Sequence, residues 1–125
     1  MASPLVVVDS PIWIDHIHGG DDLLLALLKR NRAAVHPMVY GEVALGSIKT
    51  RAAVLRELRQ LPQVATATHA EVFAMIEWLE LFATGIGFVD AHLLAATRMI
   101  DGATLLTRDK RLHAQAERLG LAYQG

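Results

Sequence analysis

Residues 6–15 read VVVDSPIWID, and how this stretch is parsed decides the fold. With Leu5, the three valines form a short continuous apolar run. Such a run fits a strand buried on both faces, as in a parallel sheet. Asp9 follows it directly. Ser10-Pro11 then supplies a helix N-cap and a proline at the first helical position, so a helix is expected over PIWIDHI, ending near Gly19-Gly20. A strand that runs through one acid into a helix is the first half of a β-α-β unit. The ordinary reading of Asp9 is turn chemistry; the alternative needs partners elsewhere in the chain.

Outward from this stretch the pattern repeats. DDLLLALLKRN has acids in its first turn and bases in its last, the arrangement that suits a helix dipole. A short strand is expected near Ala34 to His36, and MVYGEVALGS resumes as helix. TRAAVLRELRQL is a helix that stops before Pro62, and VATA is extended. Thr68-His69-Ala70-Glu71 has the form of a capping box. It opens a helix with Val72, Ile76, Leu79 and Ala83 on one face, broken by Gly85 and Gly87. A further helix runs from about Phe88 to Ile100, ATLLT is a strand, RDKRLHAQAERLG a helix and LAYQ a last short strand. Alternating strands and helices imply an α/β fold, a three-layer α/β/α arrangement around a mainly parallel sheet. No repeat or linker divides residues 1–125, which are expected to form one domain.

Composition limits what the chain does. It has 125 residues, 53% hydrophobic and 20% charged, and no cysteine, so disulfides, zinc–thiolate sites and cysteine nucleophiles are excluded. The formal net charge of −1 provides no global field for a polyanion, which would have to be held by local bases or metal ions. The N-terminus has no basic region and only a four-residue apolar run, so neither signal peptide nor membrane span is expected, and a soluble cytoplasmic protein is.

Three further acids stand out. Glu42 lies between Gly41 and Gly46 on a helical face with Met38 and Leu45. Asp90 is in the first turn of a nearly apolar helix, and Asp109 follows the ATLLT strand. Each has an ordinary explanation: Asp109 as an N-cap, Asp90 as a partner of the helix dipole, Glu42 reaching solvent. One site explains all four. Parallel sheets carry their sites beyond the carboxyl ends of the strands, and oxygen-rich clusters suit magnesium or manganese.

Together, VVVDSPIWID, VYGEVALGS and GFVDAHLLAATRMIDGATLLTRDKRL resemble the PIN domain, particularly its VapC-type toxin branch. The resemblance spans essentially the whole chain, with residues 49–84 matching only in helical character. It implies a PIN-like fold and a magnesium-dependent RNA endonuclease, with Mn²⁺ as a possible substitute. The enzyme would act as the toxin of a toxin–antitoxin pair, inhibited by a VapB-type antitoxin and forming a homodimer. Carried over by motif, the catalytic and metal-binding acids fall on Asp9, Glu42, Asp90 and Asp109. Asp9 and Asp90 would contact metal directly, Glu42 directly or through water, and Asp109 from one step behind. Ser10 and Thr107 match hydroxyls that steady the acids. Arg108, Lys110 and Arg111, beside Asp109, are the candidates for RNA phosphate contact.

Other readings are a catalytically inactive PIN-like domain, a receiver-like signalling domain, and a phosphatase-like α/β hydrolase with Asp9 as nucleophile. The last usually has a second acid two residues on, where this chain has Pro11. A receiver needs paired acids after the first strand, whereas Asp21-Asp22 open a helix. Lys49, Arg56 and Arg59 are expected to form a solvated face. His16, His18 and His92 receive no functional role, and Trp13, Trp78 and Phe82 are read as packing residues.

Overall fold

The computed structural model describes residues 4–124. Three short parallel strands, β1 (Val6–Val8), β2 (Ala33–Ala34) and β3 (Thr104–Leu106), pair in the order β2-β1-β3. Isolated parallel bridges extend the sheet on both sides, Val35 to Gln63 and Leu105 to Ala122. The helices are α1 (Ser10–Gly19), α2 (Asp22–Lys29), α3 (Pro37–Ala44), α4 (Arg51–Gln60), α5 (His69–Trp78), α6 (Phe88–Arg98) and α7 (Lys110–Arg118). This is the three-layer α/β/α arrangement expected from the alternation.

β1 is the centre of the molecule. Val6, Val7 and Val8 are completely buried, which is why their run shows no alternation. They join Ile12, Leu24, Val39, Leu93, Leu105 and Leu112, all fully buried, in one apolar core. From β1 the chain passes to β2 on one side and later to β3 on the other. The carboxyl end of β1 is therefore a topological switch point, where adjacent connections leave in opposite directions and open a crevice. Asp9 follows β1 there, His36 lies just beyond β2, and Thr107 follows β3.

Several expected boundaries shift. Strand was expected near Ala34 to His36; pairing covers Ala33–Ala34, Val35 makes only the bridge, and His36 caps α3 instead, its Nδ1 accepting from Met38 N at 3.0 Å. LAYQ contributes one bridge rather than a strand. The α5 face expected to reach Ala83 stops at Trp78. Leu79 is the C-cap and Glu80 takes the left-handed conformation (φ 54°). Leu81 N then donates back to Ile76 O at 2.9 Å. That closing pattern usually has glycine in the left-handed position. Here Leu81 drives it, because its side chain is only 3% exposed and has to be turned into the core. Trp78 and Phe82, read as packing residues, are 74% and 56% exposed, whereas Trp13 is buried as expected and its Nε1 donates to Val8 O at 3.1 Å.

Candidate active site

Each acid is held by a backbone element that also explains its place in the sequence. Asp9 is the N-cap of α1. Its Oδ1 accepts from Ser10 N at 2.8 Å, and its Oδ2 accepts from the Thr107 hydroxyl at 2.7 Å, joining the ends of β1 and β3. Thr107 Oγ1 in turn accepts from Asp109 N at 3.1 Å. Asp109 caps α7, its Oδ1 accepting from Arg111 N and Leu112 N at 2.9 and 3.0 Å. Asp90, in the first turn of α6, reaches back to accept from Gly87 N at 2.9 Å through Oδ2. The ordinary explanations for Asp9, Asp90 and Asp109 are thus true and insufficient. Capping occupies one oxygen of Asp90 and one of Asp109, and it fixes where the remaining oxygens sit.

Electrostatics tie the four together. Burial pushes the Asp9 carboxyl above its ordinary range, against the hydrogen bonds from Thr107 and Ser10, and the charges of Asp90 and Asp109 push it the same way. Glu42 is also raised, first by burial and then by Asp9 and Asp90, while the Ser10 hydroxyl opposes the shift. Glu42 therefore faces the other acids. It does not share the apolar environment expected beside Leu45, which caps the end of α3 and is 90% exposed. The expected site residues Asp9, Glu42, Asp90 and Asp109 meet with Ser10 and Thr107 at the switch point.

The acids converge without closing on one another. Among the described residues no three histidine, aspartate or glutamate side chains stand in ready coordinating geometry. Like charges held apart by their caps account for that spacing. The donor set fits a divalent cation of oxygen preference, since all four ligand candidates are carboxylates and two of them are already penalised for carrying charge without a counterion.

The three neighbouring bases divide. Arg108 turns away to pair with Asp15 at 3.5 Å and, more closely, with Asp21, so its side chain is engaged with α1 and the start of α2. Asp21 is lowered by its α2 cap bond from Leu24 N and by Arg108. Asp21 and Asp22 thus serve α2 rather than a receiver-type acid pair. Lys110 and Arg111 are exposed. Arg111 lies across Gly85, where any Cβ would meet its Cδ at 2.7 Å. Gly85, at φ 87°, gives this guanidinium its path along the loop that leads to Asp90.

Residues 6–118 match the PIN domain family. Ribonuclease VapC32, from two strains of Mycobacterium tuberculosis, is 42% identical over 118 residues, covering 94% of this chain and 95% of the relative. The chain belongs to the PIN domain family, in its VapC-type branch. No solved structure matches. The match spans every strand, α1 to α7 and all four acids of this PIN domain. Among the described residues no helix is long and apolar enough to cross a membrane.

Residue-by-residue reading missed the histidines of this PIN domain. His69 Nδ1 and His92 Nε2 are 3.1 Å apart, and the His36 and His92 rings meet edge to face at 6.4 Å. His36 is completely buried and His92 is 2% exposed. Burial, helped by His92, pulls His36 down to about 4, and burial with His69 lowers His92. The one available signal was position: His36 ends the expected strand before Pro37, and His92 follows Asp90 by two residues.

Proposed function

We propose that this chain is a divalent-metal-dependent RNA endonuclease, the toxin of a toxin–antitoxin pair, with Mg²⁺ the metal in use and Mn²⁺ a substitute. The observation that carries the reading is Asp9: a buried carboxylate at the switch point, raised by burial and by the charges of Asp90 and Asp109. The name of its relative, a ribonuclease of VapC type, supports the substrate class. A bound cation would supply charge neutralisation at the phosphodiester and a water of lowered pKa.

Asp9 and Asp90 offer the direct ligands, Glu42 a third from α3, and the free oxygen of Asp109 orients solvent. Thr107 and Ser10 hold Asp9 in one rotamer, so the ligand oxygens need no reordering on binding. Lys110 and Arg111 contact substrate phosphate. Arg108 would do so only by leaving Asp15 and Asp21. In the inhibited pair a cationic side chain of the VapB-type antitoxin takes the cation's place, because a guanidinium pairs with carboxylates in the same position. A homodimer belongs to the same reading; exposed Leu23 and Leu25 on α2 are apolar surface for it to cover.

Purified protein should cut structured RNA at exposed single-stranded segments in Mg²⁺ or Mn²⁺, leaving 5′-phosphates. Asp9→Asn should abolish cutting with an unchanged circular dichroism spectrum. Full activity in EDTA overturns the metal reading. Unimpaired growth of cells that accumulate intact protein without its partner overturns the toxin reading.

A further inference from the structure

Two buried ring nitrogens, His36 Nε2 and His92 Nδ1, have no protein hydrogen-bond partner among the described residues. Buried polar groups are nearly always paired, with protein or with ordered water. The surrounding bonds restrict the answer. His36 Nδ1 accepts from Met38 N, so a neutral His36 carries its proton on Nε2 and presents a donor. The other unpartnered ring nitrogen is on His92, whose ring meets that of His36 edge to face and whose second nitrogen is already bonded to His69. If His92 donates from Nε2 to His69 Nδ1, its Nδ1 becomes the acceptor that His36 requires. The opposite tautomer would present a donor on each ring and no acceptor on either for the protons of anything placed between them.

Distance then decides how they meet. Ring nitrogens lie about 1.1 Å from an imidazole centroid, so rings 6.4 Å apart cannot bond directly, while one water with bonds of about 2.9 Å on each side can join nitrogens turned toward each other. We propose that His36, one buried water and His92 form a directional hydrogen-bonded chain ending on His69, and that His92 is thereby a positioning residue for the acids.

The chain joins three elements at the active edge of the sheet. His36 caps α3, the helix that carries Glu42; His92 is on α6, the helix that carries Asp90; His69 opens α5. An apolar contact tolerates sliding, whereas a chain of fixed donors and acceptors sets one separation between α3 and α6. The positioning role rests on the metal-nuclease reading; the chain itself does not.

Long-range ¹H–¹⁵N spectra of the full chain at pH 7.5 should show His36, His92 and His69 all with the proton on Nε2. A water cross-relaxation peak to the His36 Nε2 proton should accompany them. A Nδ1-protonated His36 or His92, or no such water, overturns the chain. Mn²⁺ binding and RNA cleavage are then compared for wild type, His92→Phe and His92→Gln. Phe should weaken Mn²⁺ binding and lower kcat by about tenfold, the lower end for groups that orient ligands, with KM for RNA within twofold. Gln, which keeps one acceptor and one donor, should restore both to within about threefold. Should His92→Phe lose its near-UV signal, exposed His69→Phe replaces it, with a loss of about threefold expected by the same orienting effect. Wild-type Mn²⁺ affinity and kcat in a folded Phe variant overturn the positioning role. A wild type that neither binds Mn²⁺ nor cuts RNA overturns the nuclease reading and that role together, and the tautomers still decide the chain.

Discussion

Two polar clusters lie side by side at the carboxyl edge of the sheet, and burial acts on them in opposite senses. In the acid cluster it raises Asp9 and Glu42, whose mutual charge then works against folding. In the histidine cluster it lowers His36 and His92, which remain neutral and bond to neighbours. Low dielectric disfavours charge in both. The histidines meet that demand by losing a proton; in the proposed reading the acids meet it by recruiting a cation, which assigns the chemistry to the acids and support to the histidines.

The largest expected contrast is in activity. Asp9→Asn should lower RNA cleavage by about a thousandfold, the scale of a lost participant in metal-assisted proton transfer, with the midpoint of unfolding little lowered. His36→Ala should shift the balance, losing about 0.5 to 2 kcal/mol for the α3 cap alone and only about tenfold in cleavage, as for His92→Phe. Cleavage and thermal melts of the two variants check this. A thermally crippled Asp9→Asn would assign Asp9 to structure. Asp109→Asn should cost less, about ten- to a hundredfold, as expected of a group that orients rather than binds. Its remaining oxygen still caps α7, so the helix content should be unchanged by circular dichroism.

Acidification separates the clusters next. His36 has its folded pKa near 4 against an ordinary 6.5, so the unfolded chain binds the proton first. Stability is therefore lost as pH falls from 6.5 towards 4, by up to about 1.4 kcal/mol per unit. His92 adds in the same direction. Asp9 and Glu42 have the opposite sign: their folded forms take the proton first, and the stability their charges cost returns as pH falls through their raised values. Denaturant melts in EDTA should show a declining midpoint from pH 6.5 to 5, and a shallower decline in His36→Gln. A midpoint that rises over that interval would mean that the acids outweigh the histidines.

The two clusters differed as much in legibility. Asp9 was readable because an uninterrupted valine run must be a doubly buried strand, and an acid at its end must lie at the sheet's carboxyl edge. Asp109 followed from the same logic after β3. Thr107 was placed by motif, and its hydroxyl bond to Asp9 spans 98 positions, a separation no local pattern encodes. The histidines carried no comparable signal. His36, His69 and His92 come from three segments, and only the packing of α5 against α6 beside the end of β2 brings them together. Arg108 misled for the related reason that adjacency to Asp109 says nothing about the side chain's direction, which Asp15 and Asp21 set. The early end of α5 was hidden because Glu80 occupies a position where sequence leads one to expect glycine.

Whether the four acids share one cation is decided by melting wild type and Asp90→Asn with and without Mg²⁺ at neutral pH and low salt. Asn keeps an oxygen for the Gly87 cap while removing one charge. In EDTA the variant should be the more stable, by about 0.5 to 2 kcal/mol, or roughly 2 to 6 °C in midpoint. Mg²⁺ should then raise the wild type by binding linkage and the variant much less. A variant that melts lower in EDTA and responds to Mg²⁺ as the wild type does would leave Asp90 a helix-dipole partner and contradict the shared site.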